Sequence, residues 1–202
     1  IKKHLDLTAG RDRGRIYRIA PSNYQYRPTP NLRDADTSQL VGLLDHPNAW
    51  HRETAARLLY ERKTPETVAK LDAKRKANPS PLGQVHLLYA LAGQGELSTQ
   101  AITAALQHQH PQVRRHALKL GEQLASNPKL EQQLLSLASD PSLEVRIQLA
   151  FSAAALPADL KIPLLERVIA SGPGDRWLET AVLSSLRDGS AELFAKLVQN
   201  KS

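Results

Sequence analysis

The sequence predicts an all-α fold, a stack of about five helix pairs behind a short β-strand leader. Prolines recur at near-constant spacings of 32, 32, 30 and 32 residues, at Pro47, Pro79, Pro111, Pro141 and Pro173. Helical periodicity follows most of them, and a fixed period of about 20 to 50 residues is typical of stacked repeats. The chain is 41% hydrophobic but only 4% aromatic, which suits interdigitating helices better than a sheet.

The leader, residues 1–20, has the pattern of a β-hairpin. Residues 3–7 and 15–19 alternate polar and apolar side chains, and residues 9–14 between them are rich in turn formers. An isolated hairpin is marginal in water. We therefore expect this segment to pack on the helices or to belong to an upstream sheet. Residues 21–36, which hold three prolines, predict an extended linker.

From residue 37 to residue 202 the chain predicts helix pairs and one capping helix. The breaks fall at clusters of Asn, Asp, Ser, Gly and Pro. Because one pair cannot bury its apolar face alone, each must stack on its neighbours. The expected pairs are 37–45 with 48–63, 65–77 with 81–93, 98–108 with 111–126, 129–139 with 142–155, and 158–171 with 175–187, followed by a capping helix over 190–200.

A two-residue motif recurs at the start of the second helices. Val113-Arg114 aligns with Val145-Arg146, and Arg52 follows a histidine in a looser version. A Val-Arg pair after an Asp-Pro or His-Pro turn resembles the HEAT family of α-solenoids. We expect each arginine head to bond the carboxylate or the carbonyls of a neighbouring turn. The motif is missing from the second and fifth pairs, so the repeat is degenerate.

Charge is distributed unevenly along the chain, whose net charge is +7. Residues 1–33 hold eight basic and two acidic residues, and the remainder holds 19 basic and 18 acidic residues. A nucleic-acid-binding solenoid needs a basic stripe on its helices, so a nearly neutral helical body disfavours nucleic acid as a partner. The chain has no cysteine, which excludes disulfides, thiolate metal sites and covalent haem attachment within it.

Histidines and carboxylates do not form a recognisable catalytic or metal motif. His108, His110 and His116 form one group, and His46 lies near His51, but neither group has the spacing of a helical zinc protease. The carboxylates near the turns are expected to complement helix dipoles. The sequence therefore predicts no catalytic, cofactor-binding or metal-binding residue.

Five residues are predicted to have structural or interface roles: Trp50, Arg52, Arg114, Arg146 and Trp177. Trp50 and Arg52 are expected where the first pair meets an upstream domain, and Arg114 and Arg146 along the stack. Each tryptophan is expected to be half-buried between repeats or at a domain junction. The alternative is an exposed contact hot spot.

Three segments in order, residues 10–19, 45–62 and 81–93, resemble a narrower family. They are similar to the closing strand of a sorbosone/glucose dehydrogenase-type β-propeller and to the HEAT helix pairs that follow it. The family is that of the large membrane-bound dehydrogenases of planctomycetes. The resemblance implies a propeller upstream, a cytochrome c domain with covalent haem downstream, and an extracytoplasmic location. No catalytic residue of that family maps onto this chain.

The resemblance gives the leading functional hypothesis, a non-catalytic scaffold that spaces the propeller from the cytochrome domain of a larger oxidoreductase. Its partners would be other domains of the same polypeptide or another protein on the concave face. The alternatives are a free-standing HEAT-like nucleic-acid-binding or DNA-repair protein, or a protein–protein interaction scaffold. The chain begins with Ile1 and lacks methionine, so we expect a piece of a longer protein. No apolar run approaches the roughly 18 residues of a membrane span.

Overall fold

A computed structural model describes residues 19–26, 28–124 and 128–199. The chain divides into two units, residues 1–30 and 31–202. In the first unit, the described residues have no regular secondary structure, and the Tyr24 amide donates a hydrogen bond of 2.9 Å to the Pro21 carbonyl in a turn. The predicted hairpin falls almost entirely on residues 1–18, outside the described residues.

The second unit is helical, as the sequence predicted, and its described residues contain no strand. One helix lies in each predicted place. The helices are α1 Thr37–Leu43, α2 Ala49–Arg62, α3 Thr67–Lys76, α4 Pro81–Gln94, α5 Thr99–Leu106, α6 Pro111–Gly121, α7 Pro128–Leu137, α8 Leu143–Ser152, α9 Ala158–Ala170, α10 Arg176–Ser184 and α11 Ser190–Gln199. Short 3₁₀ turns, Glu122–Leu124 and Ala153–Ala155, extend α6 and α8. No helix of the described residues is long and apolar enough to cross a membrane.

The helices form two layers. Each even-numbered helix from α2 to α8 contacts the next even-numbered one, and in the odd-numbered layer α1 contacts α3, α5 contacts α7, α7 contacts α9, and α9 contacts α11. Within each of the five pairs, the odd helix contacts the even helix that follows it. This arrangement is compatible with an α-solenoid.

The repeat is best measured from the residue that caps each even-numbered helix. The caps are Asn48, Ser80, His110, Ser142 and Asp175, which are 32, 30, 32 and 33 residues apart. All but Ser142 accept a hydrogen bond from an amide of the first turn through the side chain. Positions in these helices are counted below from the cap.

The prolines do not keep a fixed position relative to the caps. Pro47 precedes its cap, whereas Pro111 follows its cap as the first helical residue. His46 therefore corresponds to His108 and not to His110, although both His46 and His110 stand directly before a proline.

The core consists of two apolar clusters that meet at α4. Leu87 and Leu91 belong to the cluster of α1 to α4, whereas Leu88 belongs to the cluster that continues to α11. Position 7 is fully buried in every even-numbered helix, in Ala55, Leu87, Ala117, Leu149 and Val182. Position 7 of α4 thus faces the preceding pair, and position 8 faces the following one.

Residues 31–35 cover the upstream end of the even layer. Leu32 and Ala35 are buried there, although the sequence predicted an extended linker. At position 14, Gln94 of α4 donates a hydrogen bond of 3.1 Å to the Leu59 carbonyl of the preceding even helix. Arg62 has the same position in α2 and donates one of 2.6 Å to the Ala35 carbonyl. Residues 31–35 therefore take the place of a preceding helix.

Candidate functional site

Three of the predicted site residues, Arg52, Arg114 and Arg146, share position 4 of α2, α6 and α8. The Nη1 atom of each donates to a carbonyl of the turn before its own helix. Arg52 bonds the His46 carbonyl at 2.6 Å, Arg114 bonds the His108 carbonyl at 2.7 Å, and Arg146 bonds that of Asp140. The predicted bonding of the arginine heads to turn carbonyls is confirmed, and it ties the first turn of each of these helices to the turn before it.

Asp140 joins two consecutive pairs. Its carboxylate accepts two hydrogen bonds from Arg114, from Nε at 2.7 Å and from Nη2 at 2.8 Å, and a third from the Ser142 amide at 2.9 Å. Arg114 is 9% exposed and Asp140 is 5% exposed. A bidentate ion pair away from water is strongly directional, so it holds α6 in register with the turn before α8.

The remaining members of position 4 differ from arginine, as the sequence indicated. Gln84 of α4 is buried, and its Oε1 atom has no hydrogen-bond partner among the described residues. Glu179 of α10 accepts a hydrogen bond of 3.2 Å from the Gly174 amide. Glu179 thus accepts a hydrogen bond from an amide of the preceding turn, whereas the arginines donate to carbonyls of that turn.

His46 and His108, which lie in the turns before α2 and α6, accept hydrogen bonds from backbone amides. His46 Nδ1 accepts from the Asn48 amide at 3.0 Å, and His108 Nδ1 accepts from the His110 amide at 3.0 Å. Asp140 accepts from Ser142 in the same way one pair later. Among the described residues, no group of three or more His, Cys, Asp and Glu side chains is arranged to hold a metal ion.

The feature that stands out as a candidate site is a surface of the even layer, which we call the even-helix face. It consists of the side chains at positions 2, 5, 6 and 9 of α2, α4, α6 and α8 and at positions 2, 5 and 9 of α10. Five large apolar or aromatic side chains lie on it: Trp50 is 59% exposed, Leu82 46%, Tyr89 38%, Phe151 47% and Trp177 70%. The expectation that the tryptophans are half-buried between repeats is wrong; a junction with another domain stays a prediction.

Two shallow cavities lie along this face. One, of about 410 Å³, lies between α4 and α6 and is lined by Leu82, Val85 and His116 among others. The other, of about 230 Å³, lies between α6 and α8 beside Ile147 and Phe151. Both expose apolar side chains next to polar ones, a combination typical of surfaces that receive another protein.

The charges of the even-helix face are mixed in sign. Glu53 and Arg57 lie on α2, Arg115 and Lys119 on α6, and Glu144 on α8. Both signs are present, and α4 and α10 carry no Asp, Glu, Lys or Arg at these positions, so the face has no continuous basic stripe of the kind that follows a phosphate backbone.

Two hydrogen bonds between helices place imidazoles on this face. Arg52 Nε donates to His86 Nε2 at 3.1 Å, and Tyr89 Oη lies 3.1 Å from His116 Nδ1. Burial lowers the pKa of His86, and the charge of Arg52 lowers it further. Burial likewise lowers the pKa of His116. Both rings are therefore neutral near pH 7, and His86 can accept from a cation.

Comparison with protein-family models, with curated proteins and with solved structures finds no match.

Gly83 is a residue with a specific structural role that was not predicted from the sequence. Position 3 is occupied by His51, Val113 and Val145 in α2, α6 and α8, but α4 has glycine there. A Cβ atom on Gly83 would overlap the carboxylate of Asp45, which bonds the amide and hydroxyl of the cap Ser80. A glycine in place of the expected core residue, at the start of a helix, is the sequence feature that could have revealed this close approach.

Proposed function

We propose that residues 37–199 form a HEAT-like α-solenoid whose role is to dock another protein domain on the even-helix face. The observation that carries the proposal is the concentration of exposed aromatic and large apolar side chains there, on four of the five stacked helices. Tryptophan and tyrosine are the residues that most often dominate binding energy at protein interfaces. Large apolar patches exposed on a surface are typical of sites that interact with another molecule.

The mixed charges support a protein partner over a nucleic acid. Acidic Glu53 and Glu144 lie on the same face as Arg115 and Lys119. A phosphate backbone would be repelled by the carboxylates, whereas a protein surface can pair both signs at the rim of an apolar contact.

The rigid support of the face fits a scaffold. Arg52, Arg114 and Arg146 fix α2, α6 and α8 to their preceding turns, and Asp140 links two pairs. The face can therefore bind without first being ordered, which lowers the entropic cost of association.

We further propose that the docked domain belongs to the same larger protein, an extracytoplasmic dehydrogenase. This step rests on the resemblance of residues 10–19, 45–62 and 81–93 to the planctomycete dehydrogenases. The solenoid would hold a propeller and a haem-bearing cytochrome c domain at a fixed separation and perform no chemistry itself. The mass of the native polypeptide and a covalent-haem stain test it, since a native chain of about this length without haem would contradict it.

Photocrosslinking tests the docking role directly. A benzoylphenylalanine placed at Phe151, on the even-helix face, should crosslink to another domain or protein in the native source. The matched control is the same group at Ala104, an exposed residue of α5 in the odd layer. Crosslinks from Phe151 and not from Ala104 are expected. Equal crosslinking from both positions, or none from Phe151, would refute the docking role.

A further inference from the structure

The even layer is open at its downstream end. Position 8 is Leu88 in α4, Leu118 in α6 and Ala150 in α8, and these side chains are 0%, 2% and 0% exposed because the next even-numbered helix covers them. In α10 the same position is Leu183, which is 69% exposed. Ala56 of α2 is half-buried. The leucine at position 8 is therefore buried in α4 and α6 but exposed to water in α10.

The last helix of the odd layer presents apolar side chains on two sides. Leu193 and Leu197 pack into the core. Ala191, Phe194, Ala195 and Val198 form a second stripe at helical spacing, on which Phe194 is 69% exposed and Val198 is 50% exposed. The helix that ends a repeat stack needs a polar outer face, so α11 does not have the surface of the capping helix that the sequence predicted.

The two exposed features belong to one unfilled position of the repeat. Every earlier odd-numbered helix contacts an even-numbered helix that follows it, but α11 has no such partner in the described part of the chain. A partner placed as in the earlier pairs would cover the outer side of α11 and, at the same time, position 8 of α10.

We propose that Leu183, Phe194 and Val198 line a binding site for one amphipathic α-helix from outside these 202 residues, docked in register as the next member of the even layer. The helix would have the ten to fourteen residues of α8 and α4. Its apolar residues would stand at positions 3 and 7, as the buried Val145 and Leu149 do in α8, where Leu149 lines the same small cavity as Leu118 of the preceding pair.

A second copy of this chain does not fit the site in the same way. The stack is directional, because position 8 of one even helix meets positions 3 and 7 of the next. The upstream end of a second copy is closed by residues 31–35, which Arg62 holds through the Ala35 and Arg33 carbonyls. Copies therefore cannot stack head to tail without displacing that segment.

The probe for the site is a peptide of residues 142–155 of this chain, which spans α8 and carries the required apolar pattern. Short isolated helices are marginal in water. A second version, with Gln148 replaced by lysine and joined to Glu144 by a lactam, preforms the helix on its outer side. Binding of the fluorescent peptides to the full chain is measured by anisotropy, and the contact is located by amide exchange.

We expect saturable binding, with slower exchange in α10 and α11. Leu183→Glu and Phe194→Glu should each weaken binding at least about tenfold, because each places a charge in an apolar contact. Phe151→Glu, an equally drastic change on the even-helix face, should leave it unaltered, which separates this site from the docking role proposed above. All three side chains are exposed, so the variants should retain the wild-type melting temperature.

Three results would overturn the proposal. The first is no saturable binding by either peptide at millimolar concentration. The second is binding that neither Leu183→Glu nor Phe194→Glu weakens. The third is a concentration-dependent dimer in sedimentation that Phe194→Glu abolishes, which would make a second copy the occupant.

Discussion

Arg114 of α6 and Asp140, in the turn before α8, form a bidentate ion pair that joins two consecutive helix pairs. The same arginine also bonds the His108 carbonyl of its own turn. One side chain therefore sets the geometry within a pair and between pairs. Its helix, α6, borders both cavities of the even-helix face. The shape of that face therefore depends on the position in which Arg114 holds α6.

Breaking this ion pair should destabilise the fold strongly. Asp140→Ala leaves a buried guanidinium without its carboxylate, and removing one member of a buried pair costs about 3–5 kcal/mol. Urea unfolding followed by circular dichroism measures the change. Arg115→Ala, at the neighbouring exposed position, is the control and should stay within about 0.5 kcal/mol of the wild type. A loss below about 1 kcal/mol for Asp140→Ala would contradict the role given to the pair.

Gly83 should tolerate no side chain while Asp45 is present. Gly83→Ala would push its Cβ against the Asp45 carboxylate, and we expect a loss of about 1–3 kcal/mol of unfolding free energy. Gly42→Ala in α1 has open space around the new Cβ and should be neutral or stabilising by up to about 1 kcal/mol. Thermal and urea unfolding compare the two.

The cause of the Gly83 effect can be isolated with a double-mutant cycle. In an Asp45→Ala background the carboxylate is gone but the Cβ of residue 45 remains 2.9 Å from the new methyl group, so Gly83→Ala should cost clearly less there than in the wild type. An equal cost in both backgrounds would show that the helix needs glycine for another reason.

Truncating a core side chain should lower stability, whereas truncating a side chain of the even-helix face should weaken binding. Leu149 is fully buried at position 7 of α8, and Leu149→Ala should cost about 2–5 kcal/mol through lost burial and a cavity. Phe151, two residues later, is 47% exposed. Phe151→Ala should change stability little while weakening partner binding. If Phe151→Ala unfolded the protein as readily as Leu149→Ala, the assignment of Phe151 to a binding face would be wrong.

Stability should fall as the solution is made mildly acidic. Burial lowers the pKa values of His86, His108 and His116 below the ordinary value of 6.5. Below about pH 6.5 the unfolded chain therefore binds more protons than the folded one. The free energy of unfolding is highest above this pH and declines as the pH falls below it. The pKa values of Glu66 and Asp72 are also lowered, but these carboxylates add to the loss of stability only when the pH falls below their ordinary values of 4.5 and 3.8.

Urea titrations between pH 7.5 and 5.5 therefore isolate the histidines. The double variant His86→Gln, His116→Gln should show a shallower decline than the wild type over this range. Stability that rose as the pH fell from 7.5 to 5.5 would contradict the burial of these rings.

Local chemistry made the helices predictable, whereas contacts between pairs were not. Proline and cap residues such as Asn48 and Asp175 mark where helices begin, and they act within one turn. The bonding of Arg114 to its own turn was predictable for the same reason. Its second partner, Asp140, lies 26 residues away, and the approach of Asp45 to Gly83 spans 38 residues, so no local pattern contains either. The exposure of Trp50 and Trp177 could not be predicted because hydrophobic size favours burial and interface use equally.

The central claim is that the even-helix face is covered by another protein domain in the native protein. Because the chain has no cysteine, a single Phe151→Cys substitution allows its maleimide labelling rate to be compared between the isolated chain and the protein in its native source. Ala104→Cys serves as the odd-layer control. We predict labelling at position 151 slowed at least about tenfold in the native source, with position 104 unchanged. Equal rates at position 151 in both settings would contradict the docking role.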